Sequence, residues 1–316
     1  MNNAVYEECY ERWSSSVGNQ PFWKELADKH GYSSPEALRS QFKRERKNRG
    51  EPKQGNPILT VRKPRIGVMD IETLYAVMAS WSMFGVDFSP EMILEEGVLL
   101  SWVGMIYGEG TIFSDVLSSK EARNRNSARI VKSAYEFMKS CDILVGHNSR
   151  NFDFKLMNTF FLDNRLPRIV YRQADTLEIL KANFKLPFNR LGYVNKRFGI
   201  REKMPNDGLP LWKDCAKGDE EALKTMLEYN TEDVLATSEL FTLLYPYANG
   251  LPNLATYNNP NELSCVCGST HLKLEGEWVL NLGVYDKYRC ESCGSVVRGR
   301  INRMPKEERE NLLVKL

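Results

Sequence analysis

The stretch "DILVGHNSRNFDFKLM", residues 142–157, decides how the chain is read. It begins as a short apolar run, Ile143 to Val145, suited to a buried strand, and ends with apolar residues at helical spacing. Between the two lie His147, Asn148, Arg150, Asn151 and Asp153, with the ring of Phe152 among them. A strand that merely turns into a helix needs one capping residue. This junction offers an amide, a carboxylate and an aromatic ring, so it reads as a site.

Outward from that junction the pattern alternates. "RIGVMD" (65–70) is a second buried strand, and "GVLLSWVGMIY" (97–107) and "TIFSDV" (111–116) flank Gly108-Glu109-Gly110 as a hairpin. "SARIVKSAYEFMKSC" (127–141) and "FDFKLMNTFFLDNR" (152–165) have helical spacing, "RIVYRQAD" (168–175) reads as a strand, and 175–246 as helices and loops. Strands before the first helix and alternation afterwards predict an α/β fold, a mixed β-sheet flanked by helices.

The first strand runs into "VMDIET" (68–73), where Asp70 and Glu72, one residue apart, project to the same face. Two adjacent carboxylates repel unless a cation sits between them, and hard oxygen donors suit Mg²⁺ or Mn²⁺. Asp153 adds a third carboxylate. "MLEYNTEDVLATSELF" (226–241) places Tyr229 and Asp233 one turn apart on a helix whose apolar stripe holds Met226, Leu227, Val234 and Leu235. Singly, these are a solvated strand end, a first-turn acid and ordinary helix neighbours; together they ask for a common explanation.

In order, DxE on a first strand, NxxxFD after a later one and YxxxD on a late helix resemble the DEDDy branch of the DnaQ-like 3′–5′ exonucleases, in the ribonuclease H-like superfamily. The resemblance covers about residues 65–246. "ADTLEIL" (174–180) and "GDEEALKTMLEYNTEDV" (218–234) look closest to stand-alone, bacteriophage-type members. It implies a metal-dependent 3′–5′ exonuclease, a phosphodiester hydrolase working by a two-metal-ion mechanism. Asp70, Glu72, Asp153 and Asp233 would hold two Mg²⁺ or Mn²⁺, with Asp70 as the bridge. Tyr229 would orient the attacking water, and Asn148 and Phe152 would position the terminal nucleotide. His147 is read as structural. Residues 73–96 form an insertion, in which Trp81, Met83 and Phe84 are read as packing residues.

The flanks differ in texture. Residues 1–50 read as a helical module with a turn at Gly31, then a helix capped by Ser34 with Pro35 at its first position, a helix-turn-helix-like pattern. Arg39, Lys43, Arg44, Arg46 and Lys47 would give that module a phosphate-binding face, or a merely solvated one. Residues 51–64 read as a linker, 65–250 as the exonuclease-like domain and 304–316 as a C-terminal tail. In 261–303, "SCVCGST" and "YRCESCGS" resemble a zinc ribbon, with one structural Zn²⁺ on Cys265, Cys267, Cys290 and Cys293. The first pair has one intervening residue where two are usual, so His271 is an alternative to Cys265.

Of 7 cysteines four cluster in this tail, which in a reducing compartment favours metal over disulfides. Lys and Arg number 43 against 41 Asp and Glu, so net charge is uninformative. Apolar residues make up 42%, without a run of about 18 that would span a bilayer. The start has neither a basic nor an apolar leader segment, so the sequence predicts a cytoplasmic protein, in host cytoplasm if phage-encoded, with nucleic acid as partner and no membrane. DNA is favoured over RNA by the helix-turn-helix-like arm. The same fold also hosts structure-selective endonucleases and resolvases, and a non-catalytic nucleic-acid-binding protein is a further alternative.

Overall fold

The structure, a computed structural model, describes residues 1–14, 22–49, 62–82, 84, 85, 87, 89–201, 204, 208–257 and 262–314. Most of the expected linker, 51–61, lies outside the described residues, as does Met83. The chain divides after residue 61 into two compact units.

The first unit contains α1 (Asn3–Ser14), α2 (Phe22–Lys29) and α3 (Pro35–Asn48) around Tyr6, Cys9, Trp23, Leu26, Leu38 and Phe42. Ser34 caps α3 by accepting from the Ala37 N–H at 3.1 Å, with Pro35 in the first turn, where a missing N–H costs nothing. Arg39, Lys43, Arg44 and Lys47 are exposed. Arg46 instead stacks its guanidinium 3.9 Å from the centre of the Trp13 ring.

The second unit is built on a five-stranded sheet in the order β5-β4-β1-β6-β7. Its elements in chain order are β1 (Ile66–Leu74), β2 (Val77–Met78), β3 (Ile93–Glu95), β4 (Val98–Ile106), β5 (Ile112–Val116), α4 (Ser119–Arg123), α5 (Ala128–Lys139), β6 (Ile143–Gly146), α6 (Asp153–Asp163), β7 (Arg172–Asp175), α7 (Thr176–Asn183), α8 (Leu191–Phe198), α9 (Leu209–Lys217) and α10 (Glu220–Leu244). Then follow β8 (Leu272–Leu280), β9 (Gly283–Cys290), β10 (Val296–Arg298) and α11 (Lys306–Glu310).

Antiparallel pairing joins β1 to β4 and β4 to β5, while β1–β6 and β6–β7 are parallel, so the sheet is mixed as the sequence pattern predicts. Both faces are covered. One core gathers Met69, Ile71, Trp102, Phe137, Phe154 and Met157; the other gathers Val68, Val103, Val145, Leu180, Val234 and Phe241. Alternation along β1 sends its apolar residues to both, which is why this strand reads as a continuous apolar run. Gly104 lets α5 approach: a Cβ there would lie 2.3 Å from the Phe137 ring.

Some details differ from the sequence pattern. β7 is confined to 172–175, because its parallel partner β6 offers only Ile143–Gly146 for pairing. The expectation that Trp81 and Phe84 pack is overturned: they are 104% and 83% exposed. The Ser80 and Ser82 hydroxyls hydrogen-bond the backbone two residues on, which makes local turns. Arg125 clips the base of this excursion, donating to the carbonyls of Tyr75 and Glu96 and pairing with Glu95 at 3.2 Å. The C-terminal tail carries the short helix α11.

Candidate active site

The carboxylates converge where β1 meets α10. Asp70 and Glu72 sit on β1 opposite Val103 and Ser101 of β4, and the register shifts just after Glu72. α10 begins at Asp219, whose side chain caps it by accepting from Ala222, and its buried face carries Met226, Tyr229, Asn230, Asp233 and Val234. One ligand oxygen each from Asp70, Glu72 and Asp233 lie within 4.8 Å of one another. Asp233 is buried and Asp70 and Glu72 are half-buried, and carboxylates held that close could hold a divalent cation.

Asp153 starts α6 from the sheet's other side of the site and lines the same cavity of about 630 Å³, with Asp70, Glu72, Asp233, Asn148 and Phe152. It accepts from the Ile71 N–H at 3.3 Å, which ties α6 to β1. Burial pushes its carboxyl up to about 6, opposed by these backbone hydrogen bonds and helped by the nearby Asp175 charge. Phe152, about half exposed, places its ring in the cavity wall.

The turn that presents Asn148 and Phe152 is held by Asp175, a residue sequence reasoning passed over. The Asp175 carboxylate accepts from the N–H groups of Asn148 (2.8 Å), Arg150 (3.1 Å) and Leu177 (2.9 Å), so it caps α7 and fixes the turn at once. Asn148 adopts φ 63°, a left-handed conformation that asparagine tolerates better than most residues. The only sequence signal was an Asp directly before an apolar helical run, an ordinary cap signature.

Asn230 was also missed. Its Nδ2 donates to Asp70 Oδ2 at 2.6 Å and its Oδ1 accepts from the buried Ser101 hydroxyl at 3.3 Å, so it orients the Asp70 carboxylate. His147 lines the same cavity, and its ring nitrogens hydrogen-bond the Thr176 hydroxyl at 2.8 Å and the Asn189 carbonyl at 2.9 Å. Tyr229 is buried one turn before Asp233, its ring edge-on to Trp212 at 6.1 Å, and is not among the residues lining the cavity. Lys181, Phe188 and Arg190 also line the cavity, none of them singled out by motif.

The four tail cysteines form a second cluster. Cys265 and Cys293 sulfurs are 3.7 Å apart, as are those of Cys267 and Cys290, and all four lie within 4.8 Å. A disulfide needs about 2.05 Å. Tetrahedral zinc with sulfur at about 2.3 Å separates its ligands by about 3.8 Å. Cys265 completes this group, and His271 is not part of it. Burial opposes the Cys290 thiolate, yet the backbone N–H groups of Cys293 and Ser292 aimed at its sulfur bring it down to about 7; Cys267 is pushed by burial to about 11. Cys267 and Cys293 pack on the apolar cluster around Leu244 and Tyr245, at the end of α10.

Among the described residues no helix is long and apolar enough to cross a membrane. No curated protein matches the sequence. A solved structure similar to the chain is the family B DNA polymerase from the hyperthermophilic archaeon Pyrobaculum calidifontis, at 17% identity and TM-score 0.45, covering 69% of this chain and 28% of that one. The chain thus spans well under half the length of that polymerase. Residues 96–245, from the approach to β4 through the end of α10, match a family model described as RNase H superfamily, and the five-stranded mixed sheet flanked by helices is consistent with an RNase H-like fold.

Proposed function

We propose that this chain is a metal-dependent 3′–5′ exonuclease of the DEDDy type, hydrolysing nucleic-acid phosphodiester bonds, with DNA favoured over RNA. The observation that carries the reading is the convergence of Asp70, Glu72 and Asp233 from β1 and α10, beside Asp153, in one cavity also walled by Asn148 and Phe152.

Asp70, Glu72, Asp153 and Asp233 would hold two Mg²⁺ or Mn²⁺ ions, which when bound would supply activation of water and neutralisation of charge at the phosphate. The chain's own residues set the geometry for this. Asn230 fixes the rotamer of Asp70, and the Ile71 N–H fixes that of Asp153. Phe152 offers a ring face to the terminal base, and Asn148 an amide to the sugar or phosphate, from a turn that Asp175 makes rigid. Tyr229 is assigned to orienting the attacking water on its position one turn before Asp233. Cys265, Cys267, Cys290 and Cys293 would hold one Zn²⁺ with a structural part, since four thiolates would leave it no open position.

The test is digestion of 5′-labelled single-stranded DNA, duplex DNA, RNA and a closed circle in Mg²⁺ or Mn²⁺, with Asp70→Asn as control. Ladders shortening from the 3′ end, absent from the circle and from the control, support the reading. Cutting of the circle replaces it with an endonuclease, and binding without cutting with a non-catalytic protein.

A further inference from the structure

The C-terminal sheet, in the order β10-β9-β8, sorts its side chains by charge between its two faces. Directly opposed residues of antiparallel strands share a face. The pairs Trp278↔Tyr285, Lys273↔Arg289 and Arg298↔Lys287 therefore put two aromatic rings and a row of cations on one side. The other side carries Glu277 opposite Asp286, both joined to Arg303 at 3.1 Å. The segregation depends on a bulge between Leu274 and Glu277, where Gly276 at φ 102° takes up the extra residue and keeps Trp278 in phase with Lys273.

The basic face is available to a ligand. Trp278 is 47% exposed, and the Arg298 guanidinium lies 4.4 Å from the centre of the Tyr285 ring. Glu275 occupies Arg289 in an ion pair at 2.6 Å, while among the described residues no carboxylate lies within ion-pair distance of Lys273, Lys287 or Arg298. The exposed Trp278 ring and the half-buried Tyr285 ring, one face of which carries the Arg298 guanidinium, lie on one face with cations and match the alternation of bases and phosphates along one strand. An acidic protein segment would use the cations and leave the rings idle.

We propose that this face binds a single-stranded stretch of nucleic acid, with bases on Trp278 and Tyr285 and phosphates on Lys273, Lys287 and Arg298. The choice of a nucleic acid rests on the nuclease reading above; the placement on this face does not.

The experiment measures anisotropy of fluorescein-labelled oligo(dT) and oligo(rU) of about 20 nucleotides on the full, zinc-loaded chain, across a salt series. An Asp70→Asn background prevents cleavage. The triple variant Lys273→Gln/Lys287→Gln/Arg298→Gln is expected to weaken binding at least about tenfold at low salt and to flatten the log K against log salt slope by about 2. Trp278→Ala is expected to weaken it about fivefold or more. Arg303→Gln, on the opposite face, is expected to change nothing. Zinc content and thermal unfolding check each variant. Photocrosslinking of iodouridine-substituted strands to the unsubstituted sheet gives a readout free of folding effects, with adducts expected on Trp278 or Tyr285. Equal affinity and slope in the triple variant, or adducts confined to other segments, overturn the proposal and return the face to a protein partner. Loss of cleavage reading alone, with binding at this face intact, overturns the nuclease assignment and leaves this one standing.

Discussion

Asn230 on α10 donates from Nδ2 to Oδ2 of Asp70 on β1 at 2.6 Å, while its Oδ1 accepts from the buried Ser101 hydroxyl of β4. One amide thus joins the helix bearing Asp233 to the strand bearing Asp70 and Glu72. Asn230→Ala frees the Asp70 carboxylate to rotate and leaves the Ser101 hydroxyl without its acceptor. Loss of such a ligand-orienting partner is expected to lower the single-turnover cleavage rate about 10- to 100-fold and to raise the Mg²⁺ concentration needed for half activity. The stability cost is expected to be about 1–3 kcal/mol, read by urea unfolding.

Asp175 holds three backbone donors, at Asn148, Arg150 and Leu177. Asp175→Ala leaves these part-buried donors without a charged acceptor, and removes the restraint that keeps Asn148 left-handed. The expected loss is about 1–3 kcal/mol by urea unfolding, with a KM rise larger than the kcat fall if the turn carries the proposed substrate contacts. Asp175→Asn retains one acceptor oxygen and is expected to recover part of both.

What was legible in the sequence followed from how each signal is encoded. β1, β4, β6 and the helices α5, α6 and α10 show plainly because burial imposes a period on consecutive residues. The four carboxylates show because spacing fixes which face each occupies before any tertiary contact forms. Asn230 and Asp175 act through contacts 160 and 27 positions away in the chain, and no local pattern distinguishes them from an ordinary helix asparagine and an ordinary cap. Trp81 and Phe84 misled for the converse reason: apolarity predicts burial only where neighbouring elements supply a surface, and serine turns hold this segment away from one.

Cys265 and His271 compete on sequence for the fourth zinc position, and the geometry favours Cys265, 3.7 Å from Cys293. Cys265→Ser is expected to drop bound zinc well below one per chain by elemental analysis, and His271→Ala to leave it unchanged. Because Cys267 and Cys293 pack on the end of α10, zinc loss is also expected to lower the Tm of the whole second unit rather than melt the tail alone.

Acid stability depends on a second carboxylate cluster, away from the site. Arg129 pairs with Asp115 at 2.7 Å and Glu121 at 2.8 Å, and Glu121 also closes the capping box of α4 with Ser118. The Arg129 guanidinium, against the cost of partial burial and with help from Ser118, holds the Glu121 carboxyl down at about 2 from its usual 4.5. Between those two values the unfolded chain binds the proton and the folded one does not, so stability rises with pH across this window. The contribution is complete above about pH 4.5 and disappears as pH falls through about 2. Glu121→Gln is therefore expected to flatten the dependence of urea midpoint on pH between these limits and to narrow its gap from the native chain at the acid end. An unchanged slope in the variant would place the acid sensitivity in other carboxylates.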